Sequence, residues 1–214
     1  MKSRILIAES LGTALLVATV VGSGIMAGQL SNGNVALALL ANTAATAAVL
    51  FVLISLLGSV SGAQFNPVVT LVYGNDTGRA ATIAVQIGGA CAGTILAHMM
   101  FSMPLLSNHL AARTGPGQWL GEFVATFGLL FTITAASRQR NTALPALVAL
   151  WIAAAYWFTS STSFANPAVT IGRALTASFA GIRWIDVPLF IVAQIAGGLA
   201  GHRCAQYIAQ EKQT

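Results

Sequence analysis

The chain alternates between long apolar runs and short polar breaks. Six runs, at roughly 5–27, 35–57, 80–102, 119–137, 143–160 and 186–208, approach the ~20 apolar residues a helix needs to cross a ~30 Å hydrocarbon layer. The breaks read as turns. Gly28 to Asn34 is GQLSNGN, Ser137 to Asn141 is a short basic loop, and Met103 to Gln118 carries Pro104, Asn108, Gly115, Pro116 and Gly117. Two further apolar segments, about 66–74 and 166–177, are too short to span. Each opens on Asn-Pro, at Asn66-Pro67 and Asn166-Pro167. Asn is a favoured N-cap and Pro a favoured first helical residue, so each segment reads as a half-length helix. The alternative is a pair of surface turns. The run beginning at Ile5 is long and lacks a small-residue cleavage site, so it reads as a first spanning helix and not a removed signal.

The layout occurs twice, over about 1–105 and 115–214. Ala8-Glu9-Ser10-Leu11-Gly12-Thr13 opens one half and Gly121-Glu122-Phe123-Val124-Ala125-Thr126 the other. Each half continues with a second span, an Asn-Pro segment (NPVVT, NPAVT) and a third span. The third spans also match, Gln86-Ile87-Gly88-Gly89 with Gln194-Ile195-Ala196-Gly197. Three spans is an odd number, so the second half must cross in the opposite sense. The expected fold is an all-α membrane protein, an inverted repeat of six transmembrane helices plus two re-entrant half-helices, forming one domain over residues 1–214.

Composition agrees. Of the 214 residues 56% are hydrophobic and 7% charged, and mean hydropathy is +0.78, whereas soluble domains carry about 25% charge. That excludes a soluble enzyme, a nucleic-acid binder and a disordered tail. The net charge of +5 comes from basic residues standing singly between apolar runs. With the N-terminus inside, the inner ends hold Lys2, Arg4, Arg79, Arg138, Arg140, Arg203 and Lys212, against Arg113, Arg173 and Arg183 outside, which makes both termini cytoplasmic. Cys91 and Cys204 have no metal-ligand spacing and read as buried thiols.

Two half-helices entering from opposite faces bring their N-termini together near the midplane. Each N-terminus carries about +0.5 charge and unpaired N–H groups. The Asn66 and Asn166 amides can add donors there. A passing oxygen would accept from both and turn as it crosses, which breaks a proton-conducting water wire. The approach loops, Gly58 to Phe65 and Thr159 to Ala165, are rich in Ser, Thr and Gly, and irregular backbone at this depth must be buried or line a wet cavity. The alternative is a sealed bundle whose polar groups satisfy one another.

The twin Asn-Pro-Val/Ala boxes, the Glu-x-x-x-Thr openings and the Gln-x-x-Gly third spans resemble the aquaporin, or major intrinsic protein, family over nearly the whole chain. The resemblance implies a homotetramer with one pore per subunit, passing water or small neutral solutes by half-helix dipoles, donors and pore width. The boxes are Asn66, Pro67, Val68 and Asn166, Pro167, Ala168; Val68 stands where Ala is usual and is expected to trim the pore. Where water- and glycerol-conducting members place Arg after the second box, this chain has Val169. Counting from the boxes carries the family's constriction onto Thr46, Ala154, Ser163 and Val169, with Ala153 or Ala155 as alternates for Ala154. That set is small and uncharged. It predicts a wide neutral filter for uncharged polyhydroxylated solutes. Val169 within Ser161-Thr162-Ser163-Phe164-Ala165-Asn166-Pro167-Ala168-Val169-Thr170 resembles a bacterial, arsenic-resistance-associated branch, which implies arsenite, As(OH)3, or methylated arsenicals as solute in a bacterial inner membrane. Glycerol is also an uncharged triol, so a water or glycerol channel stays open. No filter position is Cys, which suits a thiophilic solute.

Arg173 lies one turn beyond Val169, about 6 Å along a helix axis. It either restores positive charge near the mouth or pairs with loop carbonyls or another subunit. Glu9 and Glu122 are the acids inside spans and take symmetric places; the family implies that they hold the approach loops, and proton coupling is the alternative. His98, His109 and His202 share no metal spacing. A coupled transporter would also use inverted repeats, but lacks a coupling group here. No cofactor, metal or catalytic set is expected.

Overall fold

The computed structural model describes residues 2–74, 78–108 and 111–208. His109 and Lys212 lie outside them. The helices are α1 (Lys2–Leu30), α2 (Val35–Ser61), α3 (Pro67–Tyr73), α4 (Arg79–Met100), α5 (Pro116–Arg138), α6 (Leu144–Phe158), α7 (Pro167–Arg173) and α8 (Val187–Ile208), with a 3-10 turn at Trp184–Asp186 before α8. The chain folds as the all-helical repeat that its pattern predicts. Among the described residues, five helical spans are long and apolar enough to cross a membrane. The sixth, expected over 143–160, is shorter: α6 has 15 residues, about 22 Å. Thr159 turns to extended backbone at the expected start of the approach loop, so the helix ends two residues short of 160.

Small residues set the helix pairs. α1 packs on α4, and a Cβ at Gly89 or Gly93 would strike the carbonyl oxygens of Ser10 and Ala14. α5 packs on α8 in the same way, with Gly197 and Gly201 against the carbonyls of Phe123 and Phe127. Side-chain-free contact lets backbones approach closely where lipid supplies no hydrophobic drive for association. α2 lies against α6 and joins the two pairs.

Each half-helix packs partly in the other half's core. Ala168 and Val169 of α7 share a cluster with Leu16, Val17 and Val20 of α1 and Ala90 of α4. Val68 and Val69 of α3 share one with Leu129 and Leu130 of α5 and Ile152 of α6. Thr94 donates to the Gly172 carbonyl at 2.8 Å and anchors the far end of α7 on α4.

Candidate functional site: a cavity between the half-helices

Asn66 and Asn166 cap the two half-helices with their side-chain oxygens. Asn66 Oδ1 accepts from Val68 N at 2.9 Å; Asn166 Oδ1 accepts from Ala168 N at 2.9 Å and Val169 N at 3.3 Å. Pro67 and Pro167 sit in the first turns, where no N–H is needed. The side-chain nitrogens then cross between halves. Asn66 Nδ2 donates to the Ala165 carbonyl and Asn166 Nδ2 to the Phe65 carbonyl, each at 2.8 Å. A primary amide has two N–H donors. One on each Asn is committed to the opposite loop, which leaves one on each for a passing oxygen.

The approach loops are held in backbone that L-residues rarely adopt. Ala63 and Phe65, and Ser163 and Ala165, have φ between +47° and +50°. Such conformations cost of order 1–3 kcal/mol each and persist only where the surroundings fix them. Two buried carboxylates do so. Glu9 accepts from Gln64 N (2.9 Å), Phe65 N (2.7 Å), Ser61 Oγ (2.6 Å) and Gln86 Nε2 (2.8 Å). Glu122 accepts from Phe164 N (2.8 Å), Ala165 N (2.9 Å) and Gln194 Nε2 (2.6 Å). Gln86 and Gln194 also donate to Thr70 and Thr170, both at 2.8 Å.

A cavity of about 90 Å³ runs along this seam. It is lined by Leu16 and Val20 of α1, Thr46, Leu50 and Ile54 of α2, Leu129 and Ile133 of α5, both approach loops, both Asn residues, Val69 and Val169. None of its lining residues is charged or Cys. Thr46, Ser163 and Val169 all line it and are buried, and Ser163 Oγ has no partner among the described residues.

Two expectations need correction. Ala154 does not face this cavity; it is exposed on the outside of α6, and Ala153 and Ala155 do not line the cavity either. The lining face of α6 is Leu144, Val148, Ile152 and Tyr156, successively one turn apart. Counting from the second box assumed a longer connection than the one present, and two residues on a helix rotate a side chain by about 200°. Tyr156 therefore supplies the α6 wall, and its hydroxyl donates to Thr46 Oγ1 at 3.3 Å. The i, i+4 spacing with a polar tip on the last member was the available signal. Val68 does not trim the cavity. It is fully buried against Gly198 of α8, and the next residue, Val69, faces the cavity instead.

Arg173 is buried at the end of α7. Its Nε donates to the Ala180 carbonyl, and its guanidinium carbon lies 3.3 Å from the centroid of the Phe164 ring. Phe164 lines the cavity; Arg173 does not. Arg113, from the loop before α5, lies 5.3 Å from the same ring and donates to the carbonyls of Gly181 (2.8 Å) and Phe179 (3.3 Å). Burial pushes Arg113 below its usual pKa, and nearby Glu122 and Tyr156 oppose that shift. His98 bridges the Leu105 carbonyl and the Thr176 hydroxyl, while His202 meets Thr134.

The family model described as Major intrinsic protein matches residues 1–161. Aquaglyceroporin AqpS of Rhizobium meliloti (strain 1021) is 53% identical over 209 residues, covering 95% of this chain and 89% of the relative. Probable aquaporin TIP2-1 of Oryza sativa subsp. japonica is 33% identical, covering 91% and 84%. The X-ray structure of the aquaglyceroporin from Plasmodium falciparum superimposes with a TM-score of 0.70 at 18% identity, over 99% of this chain and 97% of that one, a likeness of fold.

Proposed function

The chain belongs to the major intrinsic protein family, and from that premise we propose that it passes small uncharged hydroxylated solutes, with As(OH)3 or a related metalloid hydroxide favoured. It is a multi-pass membrane channel and not an enzyme. The observation that carries the solute class is the cavity lining: Thr46, Ser163 and Tyr156 offer hydroxyls, Val169 offers an apolar wall, and among the described residues no charged one lines it. A neutral triol exchanges its hydration for those hydroxyls and the two free Asn N–H donors without bringing a charge out of water. The absence of Cys from the lining suits a solute that would otherwise be trapped by a thiol.

One observation favours a second reading, a water or glycerol channel. The Tyr156 ring fills space that the Ala residues of α6 would have left open. In this reading too, flux is passive and follows the gradient. The family resemblance supports four copies, each with its own pore, in a bacterial inner membrane, and the basic residues at the inner ends favour cytoplasmic termini. Stopped-flow permeability of proteoliposomes to water, glycerol and As(OH)3, measured side by side, tests the choice. High As(OH)3 flux with weak discrimination supports the first reading. High water flux with triols excluded supports the second. Uphill flux driven by a proton gradient would overturn both.

A further inference from the structure

Buried threonines on the long helices spend their protons on the main chain. Thr13, Thr43, Thr94, Thr126 and Thr134 each donate to a carbonyl at 2.7–2.8 Å. Thr46 of α2 is also buried, but its hydroxyl meets that of Tyr156 on α6, with Tyr156 donating at 3.3 Å. That is long for an O–H···O bond, which is ordinarily about 2.7–2.8 Å. Two hydroxyls hold two protons, and the bond between them uses one. The other has no acceptor among the described residues. Ser163 Oγ, buried in the lining of the same cavity, has no partner among them either. Hydroxyls from three segments, α2, α6 and the second approach loop, therefore line one cavity with hydrogen-bonding capacity unspent.

We propose that Tyr156 determines specificity: its bond to Thr46 opens to take one solute oxygen while Ser163 takes a second, so the cavity selects solutes by their number of hydroxyls as well as their width. A solute oxygen that joins the pair replaces one long bond by two of ordinary length. Only the long bond is given up, so entry is cheap. Both hydroxyls line the cavity, so the exchange takes place at its wall while α2 and α6 stay packed on each other. A solute short of one hydroxyl fills the same space but leaves a buried group unpaired. A site built to hydrogen-bond a hydroxyl penalises the analogue that lacks it.

The inference rests on the channel reading, and its test separates the two. Glycerol and propane-1,2-diol share a carbon skeleton and differ by one hydroxyl. Their fluxes into proteoliposomes, each corrected for protein-free vesicles, give the preference of the channel for the triol. The parent is expected to prefer glycerol. Tyr156→Phe and Thr46→Val each remove one hydroxyl and nearly keep the shape, and each is expected to lower that preference roughly fivefold. Either one reads the proposal if the other fails to fold. The double variant is expected to be no worse than the singles, because both break one exchange site. Ser163→Ala on the Tyr156→Phe background is expected to lower the preference further, because it removes a second site. Thr46→Ser keeps the hydroxyl and is expected to keep the preference. If the pair only braces α2 against α6, both fluxes change together and the preference stays. A folded Tyr156→Phe or Thr46→Val channel with the parent's preference therefore overturns the proposal, as do effects of the two that multiply. A parent protein that carries neither solute faster than protein-free vesicles instead overturns the channel reading.

Discussion

Residues 64 and 164 occupy matching places on the two approach loops, one before Phe65 and one before Ala165, and both have backbone N–H groups held by a buried Glu. One is Gln and the other Phe. The same contrast recurs along the repeat. Thr70 matches Thr170 and Gln86 matches Gln194, in the same bonds. Tyr73 and Arg173, however, end the two half-helices with unrelated contacts, the first to Thr134 and the second to Ala180 and Phe164. What is duplicated is the frame that fixes strained backbone. What diverges is the set of side chains at or near the lumen. A passive pore needs both ends to be equally rigid but gains nothing from their being chemically alike, since selection at one narrow place suffices.

The largest expected difference between the halves is in the carboxylates. Each oxygen of Glu9 receives two donors, so Glu9→Gln displaces two whichever way the amide turns. Glu122→Gln can turn so that only Phe164 N is lost. At about 1–3 kcal/mol per orphaned buried group, Glu9→Gln should cost about 2–6 kcal/mol and Glu122→Gln about half that. Thermal unfolding in detergent reads the difference, and equal midpoints would mean the halves are not held unequally. Next comes Gly198→Ala, whose Cβ would strike Val68 Cγ1. Overpacking of this kind costs about 1–3 kcal/mol, and adding Val68→Ala should recover most of it. In the other half Ala90 already shares a cluster with Ala168, so the double variant makes the halves more alike.

The frame was readable in the sequence because its signals are local. Asn followed by Pro names a helix start by itself, and a Glu inside an apolar run must find donors. The lumen was less readable because its residues are brought together by loop length and helix phase. Ala154 and Tyr156 are two positions apart, yet one is exposed and the other lines the cavity. Val68 was read as a pore residue because the box is central; its place depends on a glycine of α8, 130 residues away, as the sequence numbering gives. Arg173 was placed correctly on its helix, and one of its two expected partnerships, a loop carbonyl, is present. Its contact with Phe164 depends on how the approach loop folds back and left no mark in the pattern.

Two smaller tests sharpen the lumen side. Val169→Arg should narrow and charge the constriction, lowering triol flux about tenfold or more and water flux less; unchanged triol flux would remove Val169 from the filter. Tyr156→Phe keeps the ring and loses the hydroxyl contact to Thr46, and a change of a few-fold in the ratio of triol to water flux is expected in the same stopped-flow assay.

The crossed pairing of Asn66 with Ala165 and of Asn166 with Phe65, the latter 101 residues apart in the chain, also has a consequence for biosynthesis. When α3 leaves the ribosome, the partner of its capping side chain has not been made. At roughly 5–20 residues per second, synthesis of that partner takes about 5–20 s. Through that interval the loop and half-helix hold polar backbone that lipid cannot satisfy. They must wait in a wet or protein-lined setting until the second half arrives, and insertion of the first half is complete only once the second has been made.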